Sequence, residues 1–200
     1  VCTMNVTVAT EQTRGLLELD LEGMNKLAAK SLPGSEGVLL LPYFNGERTP
    51  ALPNARAVFS GLTSLNMTRE NMCRAAMEGA TFGMRYGLEV VKRNGIVPKE
   101  IRLVGGGAKS PLWRQMIADI FNCSVVCLVN EEAGAAGAAI QALWCCERAG
   151  GKPAPLSELA GRFVELDESR RSYPHKERVE IYDTIYRKYL ELNKTLSDSE

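Results

Sequence analysis

The sequence carries a single histidine, His175, and no Cys-x-x-Cys pair among its six cysteines. A Cys/His zinc site needs those ligands at such spacings, so a zinc-binding module is excluded as a reading. An excess of either charge is missing too: 24 Lys and Arg balance 24 Asp and Glu. No net field would draw the chain to nucleic acid or to an anionic membrane, and neither is expected as a partner. No stretch approaches the roughly 18 unbroken apolar residues that a membrane span requires. The opening VCTMNVTVAT lacks the basic head and long apolar run of a signal peptide. It also lacks an initiator Met and opens in mid-pattern, so an excised piece of a longer protein is expected.

What is present suits a globular domain. Two hundred residues, 45% of them hydrophobic, suffice for a core that needs no disulfide scaffold. Cys123, Cys127, Cys145 and Cys146 lie in apolar stretches and are expected as buried free thiols in a reducing cytoplasm.

Apolar spacing outlines the elements. CTMNVTVAT alternates as a short strand, or as a strand leading into a helix through EQTRGLLEL. Asp20 stands as N-cap before LEGMNKLAAKS. GVLLLPYF and AVFSGL read as strands around the ordered loop NGERTPALPNAR. Thr68 caps a long helix that Asn94-Gly95 stops. Within it Gly79, Gly83 and Gly87 recur every four residues, a smooth stripe against which another element can press. IRLVGGG, SPLWRQMIADIF, SVVCLV and AGAAGAAIQALWCCERAG then alternate strand, helix, strand, helix, the pattern of an α/β sheet covered by helices. LSELAGRF and the stretch around Ile181, Ile185 and Tyr189 add two helices, and KTLSDSE reads as a fraying polar tail.

Three motifs can carry chemistry. Gly105-Gly106-Gly107-Ala108 follows an apolar strand and precedes a helix with Pro111 in its first turn. Such glycines let a ligand approach the backbone, and amides at the helix start favour an anion; a plain tight turn is the alternative. A GxxxxGK[ST] phosphate loop is excluded, because Ala108 stands before Lys109-Ser110. A GxGxxG dinucleotide fingerprint lacks its third glycine at Ser110, yet Glu131 and Glu132 close the next strand, near where a ribose-binding acid belongs. EEAGAAGAA, Glu131–Ala139, opens a helix with small residues that suit either close helix packing or a flat ring. In GERTP, Arg48 can orient phosphate oxygens and Glu47 can hold that arginine or a metal-bound water; a surface ion pair is the plain alternative.

Ala57, Phe59, Gly61-Leu62, Asn71-Met72 and Ala75-Ala76-Met77-Glu78 fall at the spacings of a signature of the FGGY family of carbohydrate kinases. GGGAKSPLWRQMIAD is similar to that family's adenosine motif, and the AAGAA stretch to its adenine-side helix. Nearly the whole chain resembles the family's C-terminal domain, with LPYFNGERTP and NARAVFSGL resembling the xylulokinase type. The resemblance implies an α/β, actin-like ATPase fold (ribonuclease H-like), a mixed sheet with helices on both faces. Residues 1–200 would form the nucleotide-binding domain, and the sugar-binding N-terminal domain would lie outside the chain.

The resemblance further implies that ATP, with Mg2+, gives its γ-phosphate to a sugar hydroxyl. D-xylulose is the sugar implied, with ribulose, gluconate, glycerol or fuculose as alternatives and a dinucleotide-binding dehydrogenase further off. By matching position, Gly106, Gly107, Ala108 and Ser110 line the adenosine, with Ala135, Ala136 and Gly137 nearby. Thr7 and Glu11 would reach the nucleotide from the first helix, where the family carries a small residue and Gln. A side chain at Gly107 is expected to enter the adenosine pocket. The family's general-base aspartate has no counterpart, since Asp20, Asp119, Asp167 and Asp183 are expected in helices or caps. That base is therefore expected in the missing part, with no catalytic residue and no metal ligand in this chain. A sugar substrate bound through the other domain, a homodimer and a cytoplasmic setting complete the expectation.

Overall fold

The computed structural model describes residues 1–151 and 155–197. The chain opens with helix α1 (Val6–Leu16), and no strand precedes it. A strand needs a ladder partner, but here the N–H of Met4 goes to the carboxylate of Glu47, and Asn5 Nδ2 goes to the Gly46 carbonyl. Helix α2 (Leu21–Lys30) starts where expected: the Asp20 carboxylate accepts the Gly23 N–H at 2.7 Å, and Met24 and Ala28 face inward. Strands β1 (Leu39–Leu41) and β2 (Val58–Ser60) pair antiparallel, Leu40 opposite Phe59.

Helix α3 (Arg69–Arg93) is the central element, capped by the Thr68 hydroxyl on the Asn71 N–H. Its glycine stripe does bring neighbours close. A β-carbon on Gly79 would lie 2.4 Å from the Leu40 carbonyl oxygen, so β1 can cross there only over glycine. Farther along, Gly83 faces the Tyr189 hydroxyl and Gly87 faces Val1.

The second half builds a mixed three-stranded sheet in the order β3-β4-β5. Strand β3 (Glu100–Leu103) runs parallel to β4 (Ser124–Leu128), with Leu103 opposite Cys127. Helix α4 (Pro111–Phe121) joins them and packs against β4. Helices α5 (Ala133–Ala149) and α6 (Leu156–Phe163) pack on each other. Strand β5 (Leu166–Ser172), antiparallel to β4, is an element the apolar pattern does not announce. Its LDESRRS sequence is that of a charged sheet edge, where ion pairs replace an apolar face. Asp167 therefore lies in a strand, not in the helix or cap expected for it.

Helix α7 (Lys176–Ser197) packs against α4 and β1 and reaches α3 through side chains. Tyr182, Tyr186 and Tyr189 surround Phe82, with ring centroids 5.6–6.1 Å apart. Lys194 to Ser197 continue this helix instead of fraying, because the 22-residue helix is anchored by its buried tyrosine face; Asp198 to Glu200 lie outside the described residues. All six cysteines are free. Cys127 is buried and Cys123 partly so, but Cys145 and Cys146 are exposed, because no residue of α5 is buried. No helix among the described residues is long and apolar enough to cross a membrane.

Candidate functional site

Because β3 and β4 are parallel, the turns that follow them emerge at the same end of the sheet. The first is the glycine turn. Gly105 has φ +86° and ψ −175°, a region essentially closed to residues with a β-carbon. A 3₁₀ turn over Gly106–Lys109 then delivers the chain to α4.

Three sets of contacts fix this turn. Arg114 Nη1 donates to the Ala108 carbonyl at 2.7 Å, drawing that carbonyl inward. The Trp113 ring lies beneath Gly107, its indole N–H held by the Thr81 hydroxyl of α3 at 2.9 Å. The Ser110 hydroxyl accepts the Trp113 N–H as an N-cap and donates to Oδ1 of Asn25 in α2.

The turn forms one wall of a groove of about 580 Å³. Gly106, Gly107 and Ser110 contribute to that wall, and Thr7 and Glu11 of α1 line the groove with them. Residues nearly a hundred positions apart are thus brought together. Met24 and Asn25 of α2, Met77 of α3, Lys109 and Trp113 also line it, and the motif analysis assigned none of these to the site. Asn25 and Met24 carry no local signal, since they belong to an ordinary amphipathic helix whose inner face meets the groove only in the fold. The Arg14 guanidinium hydrogen-bonds Glu11 and holds its carboxyl below the usual carboxylate range.

The remaining candidates lie elsewhere. Ala108 is buried beneath the turn. Ala136 and Gly137 of α5 border a separate hollow of about 70 Å³ with Ile140 and Phe163, and Ala135 lies beside them in α5. Glu47 is buried and accepts from the Thr3 hydroxyl, the Met4 N–H, Asn5 Nδ2 and the N–H of Arg48. It fastens the N-terminal segment and does not hold the Arg48 side chain, which is exposed beside Cys2. The expectation for Gly107 is corrected as well. A β-carbon there would meet the Trp113 ring at 3.2 Å, inside the protein, whereas a β-carbon on Gly106 would meet open space.

The signature residues prove to be internal ties. Asn71 bonds the Ser31 hydroxyl, the Glu36 carboxylate and the Asn66 carbonyl. Glu78, buried so that its carboxyl is pushed up, accepts from Arg74, Tyr182, the Gly34 N–H and the Ser35 hydroxyl. Both secure the segment that follows α2, whose residues line the groove.

Glu131, the ribose-binding acid of the dinucleotide reading, is paired with Lys109 at 3.1 Å and Arg170 at 3.0 Å. Those two partners hold its carboxyl below the usual range. Among the described residues no group of three His, Cys, Asp or Glu side chains could hold a metal ion.

Residues 4–146 match the model of the FGGY family of carbohydrate kinases, C-terminal domain. A xylulose kinase of Haemophilus influenzae is 50% identical over 190 residues, which are 95% of this chain and 38% of the relative. A gluconokinase of Bacillus subtilis is 34% identical over 156 residues, 75% of this chain and 30% of the relative. The structure of ligand-bound xylulose kinase from Lactobacillus acidophilus superposes with a TM-score of 0.87 at 27% identity, over 98% of this chain and 39% of that one. The chain thus spans less than two fifths of the length of these relatives, and its fold is the actin-like α/β fold that the sequence implied. The chain belongs to the FGGY family of carbohydrate kinases, within whose C-terminal domain residues 4–146 fall.

Proposed function

We propose that this chain is the nucleotide-holding part of an ATP-dependent sugar kinase that transfers the γ-phosphate of ATP to D-xylulose. The observation that carries the reading is the groove, where Thr7, Glu11, Gly106, Gly107 and Ser110 converge. Its volume of about 580 Å³ is that of a small-molecule site. Gly106 leaves backbone open to a ligand, and Leu21, Pro111 and Leu112 offer apolar surface for a base. Ala135, Ala136 and Gly137 would flank the site from the second turn, with Glu47 and Arg48 outside it. Half identity to a xylulose kinase supports the sugar, and the gluconokinase likeness keeps gluconate as the second reading.

Bound there, ATP supplies the phosphoryl group, and Mg2+ neutralises its oxygens. Among the described residues no cluster of His, Cys, Asp or Glu side chains is placed to hold that ion. The chain's own residues bind and orient. None of the described aspartates is read as the general base: Asp20 caps α2, Asp119 is buried on Gln115 and the His175 N–H, Asp167 pairs with Arg170, and Asp183 pairs with Arg85. This reading expects the base and the sugar contacts in the part of the relatives that this chain does not span. Six free thiols support a cytoplasmic setting.

Titration of the chain with ATP and with NAD+ tests the reading. Saturable binding of ATP alone is expected, with no ADP release when xylulose is added. Failure to bind ATP overturns the groove assignment, and sugar-dependent ADP release by the chain alone overturns its half-site character.

A further inference from the structure

Three charged side chains line the groove: two carboxylates, Glu11 and Glu22, and one ammonium, Lys109. Both carboxylates are already balanced, Glu11 by Arg14 at 2.5 Å and Glu22 by Lys26 at 2.6 Å. Lys109 sits within the glycine turn, between Ala108 and the capping Ser110. Its ammonium lies 3.1 Å from Oε2 of Glu131, at the foot of the second turn.

The other oxygen of that carboxylate, Oε1, is 3.0 Å from Nη1 of Arg170. Arg170 is itself fixed, donating to Asp167 and to the Leu128 carbonyl. Glu131 thus keeps a well-anchored partner whether or not Lys109 stays. The Lys109 side chain is 68% exposed, and an exposed ion pair of that kind is weak. Four rotatable carbons let the ammonium swing. Lys109 borders both the groove and the notch in which Glu131 lies.

We propose that Lys109 contacts the phosphates of a nucleotide held in the groove, and that Glu131 holds the lysine aside in the absence of that nucleotide. The proposal rests on the reading of the groove as a nucleotide site. A nucleoside polyphosphate brings several negative charges to a place whose other charges are spoken for. A flexible ammonium that leaves its carboxylate satisfied is the counter-charge at hand. Placement inside the turn means that it arrives on the same wall as the backbone of Gly106 and Gly107. Glu131 acts as a competitor for the lysine, so its removal has the opposite sign to removal of Lys109.

Calorimetric titration of the chain with adenosine and with Mg2+-free ADP tests this. The parent should bind ADP more tightly than adenosine. Lys109→Met should weaken ADP roughly ten- to hundredfold, the worth of a charge-assisted contact, and leave adenosine unchanged. Lys109→Arg should restore most of the difference, which guards against a general loss of structure. Glu131→Gln should tighten ADP by about twofold, as expected for loss of a weak exposed pair, again without effect on adenosine. An ADP-to-adenosine ratio unchanged by Lys109→Met overturns the role of Lys109, as does equal weakening of both ligands. A parent that binds neither ligand overturns the nucleotide reading of the groove and this proposal with it; a parent that binds both, with an indifferent Lys109, overturns only the proposal.

Discussion

Ser110 donates its hydroxyl hydrogen to Oδ1 of Asn25 and, with the same oxygen, accepts the N–H of Trp113. One hydroxyl thereby caps α4 and ties it to α2, so two of the helices that border the groove share a single pin. Ser110→Ala removes both contacts and should cost about 1–2 kcal/mol of stability. Asn25→Ala keeps the cap and should cost only about 1 kcal/mol. Both should weaken ATP several-fold, because α2 loses its hold on the turn. Urea unfolding and ATP titration of the two variants check this; parental affinity in Asn25→Ala would show that α2 does not position the site.

Two adjacent glycines should respond in opposite ways to the same substitution. At Gly107 a β-carbon enters the Trp113 ring at 3.2 Å, so Gly107→Val should destabilise the chain by roughly 1–3 kcal/mol, the usual cost of overpacking. At Gly106 the space is open and φ is not positive, so Gly106→Val should fold normally and obstruct the groove. Melting temperature and ATP binding, measured together, separate the two. A Gly106→Val chain that binds ATP like its parent removes Gly106 from the site.

Much of the fold can be read from the sequence where period and caps agree. α3 carries eight apolar or small residues at helical spacing and a Thr68 cap, and it forms over Arg69–Arg93. The glycine turn is legible for the same reason, since a strand, three glycines and Pro111 leave the chain few other conformations. β5 is not legible, because an edge strand satisfied by ion pairs has no apolar alternation to display. The N-terminal strand fails because alternation in CTMNVTVAT says nothing about partners, and Glu47 takes the backbone hydrogen bond a ladder would need. In the site, the turn is visible but its opposite wall is not. Asn25 meets Ser110 across 85 positions, a relation that no local pattern encodes. GERTP misleads in the other direction: the spacing suggests a charged pair for chemistry, whereas Glu47 is consumed by Thr3, Met4 and Asn5.

The charged edge of the second sheet should contribute to an acid limit. Glu100 is held below its usual range by Arg102 and Arg171, Asp167 by Ser169 and Arg170, and Glu168 by Arg171. A carboxylate with a lowered folded pKa contributes stability above its unfolded value and loses it as pH falls through the folded one. The part of the stability that these three supply should therefore be level from neutral pH down to about pH 4.5 and fall below that. Arg171→Met, which removes the pairs to Glu100 and Glu168, should flatten that fall, and added salt should do the same. Urea midpoints measured between neutral and acid pH give the slope directly. An identical slope in Arg171→Met would place the acid limit elsewhere.

Arg74 and Glu78 form a buried pair at 2.7 Å, and their other contacts decide what happens when it is broken. Arg74 also donates to the Ser31 carbonyl and to the Tyr182 hydroxyl. Glu78 also receives the Gly34 N–H, the Ser35 hydroxyl and the Tyr182 hydroxyl. Glu78→Leu strands a buried guanidinium and should cost about 3–5 kcal/mol, a large share of the stability of a domain this size. An isolated buried pair can be replaced by two apolar residues at little cost. Here the double variant Arg74→Met/Glu78→Leu still leaves the Gly34 N–H and the Ser35 hydroxyl without acceptors, and the Ser31 carbonyl without its donor. Each such group costs about 1–3 kcal/mol when buried, so the double variant should recover less than half of the loss. Glu78→Gln keeps one acceptor oxygen and should be the mildest of the three. Guanidinium unfolding of the four chains ranks them. A double variant as stable as the parent would show that Glu78 is only a partner of Arg74 and not the pin of the segment behind α2.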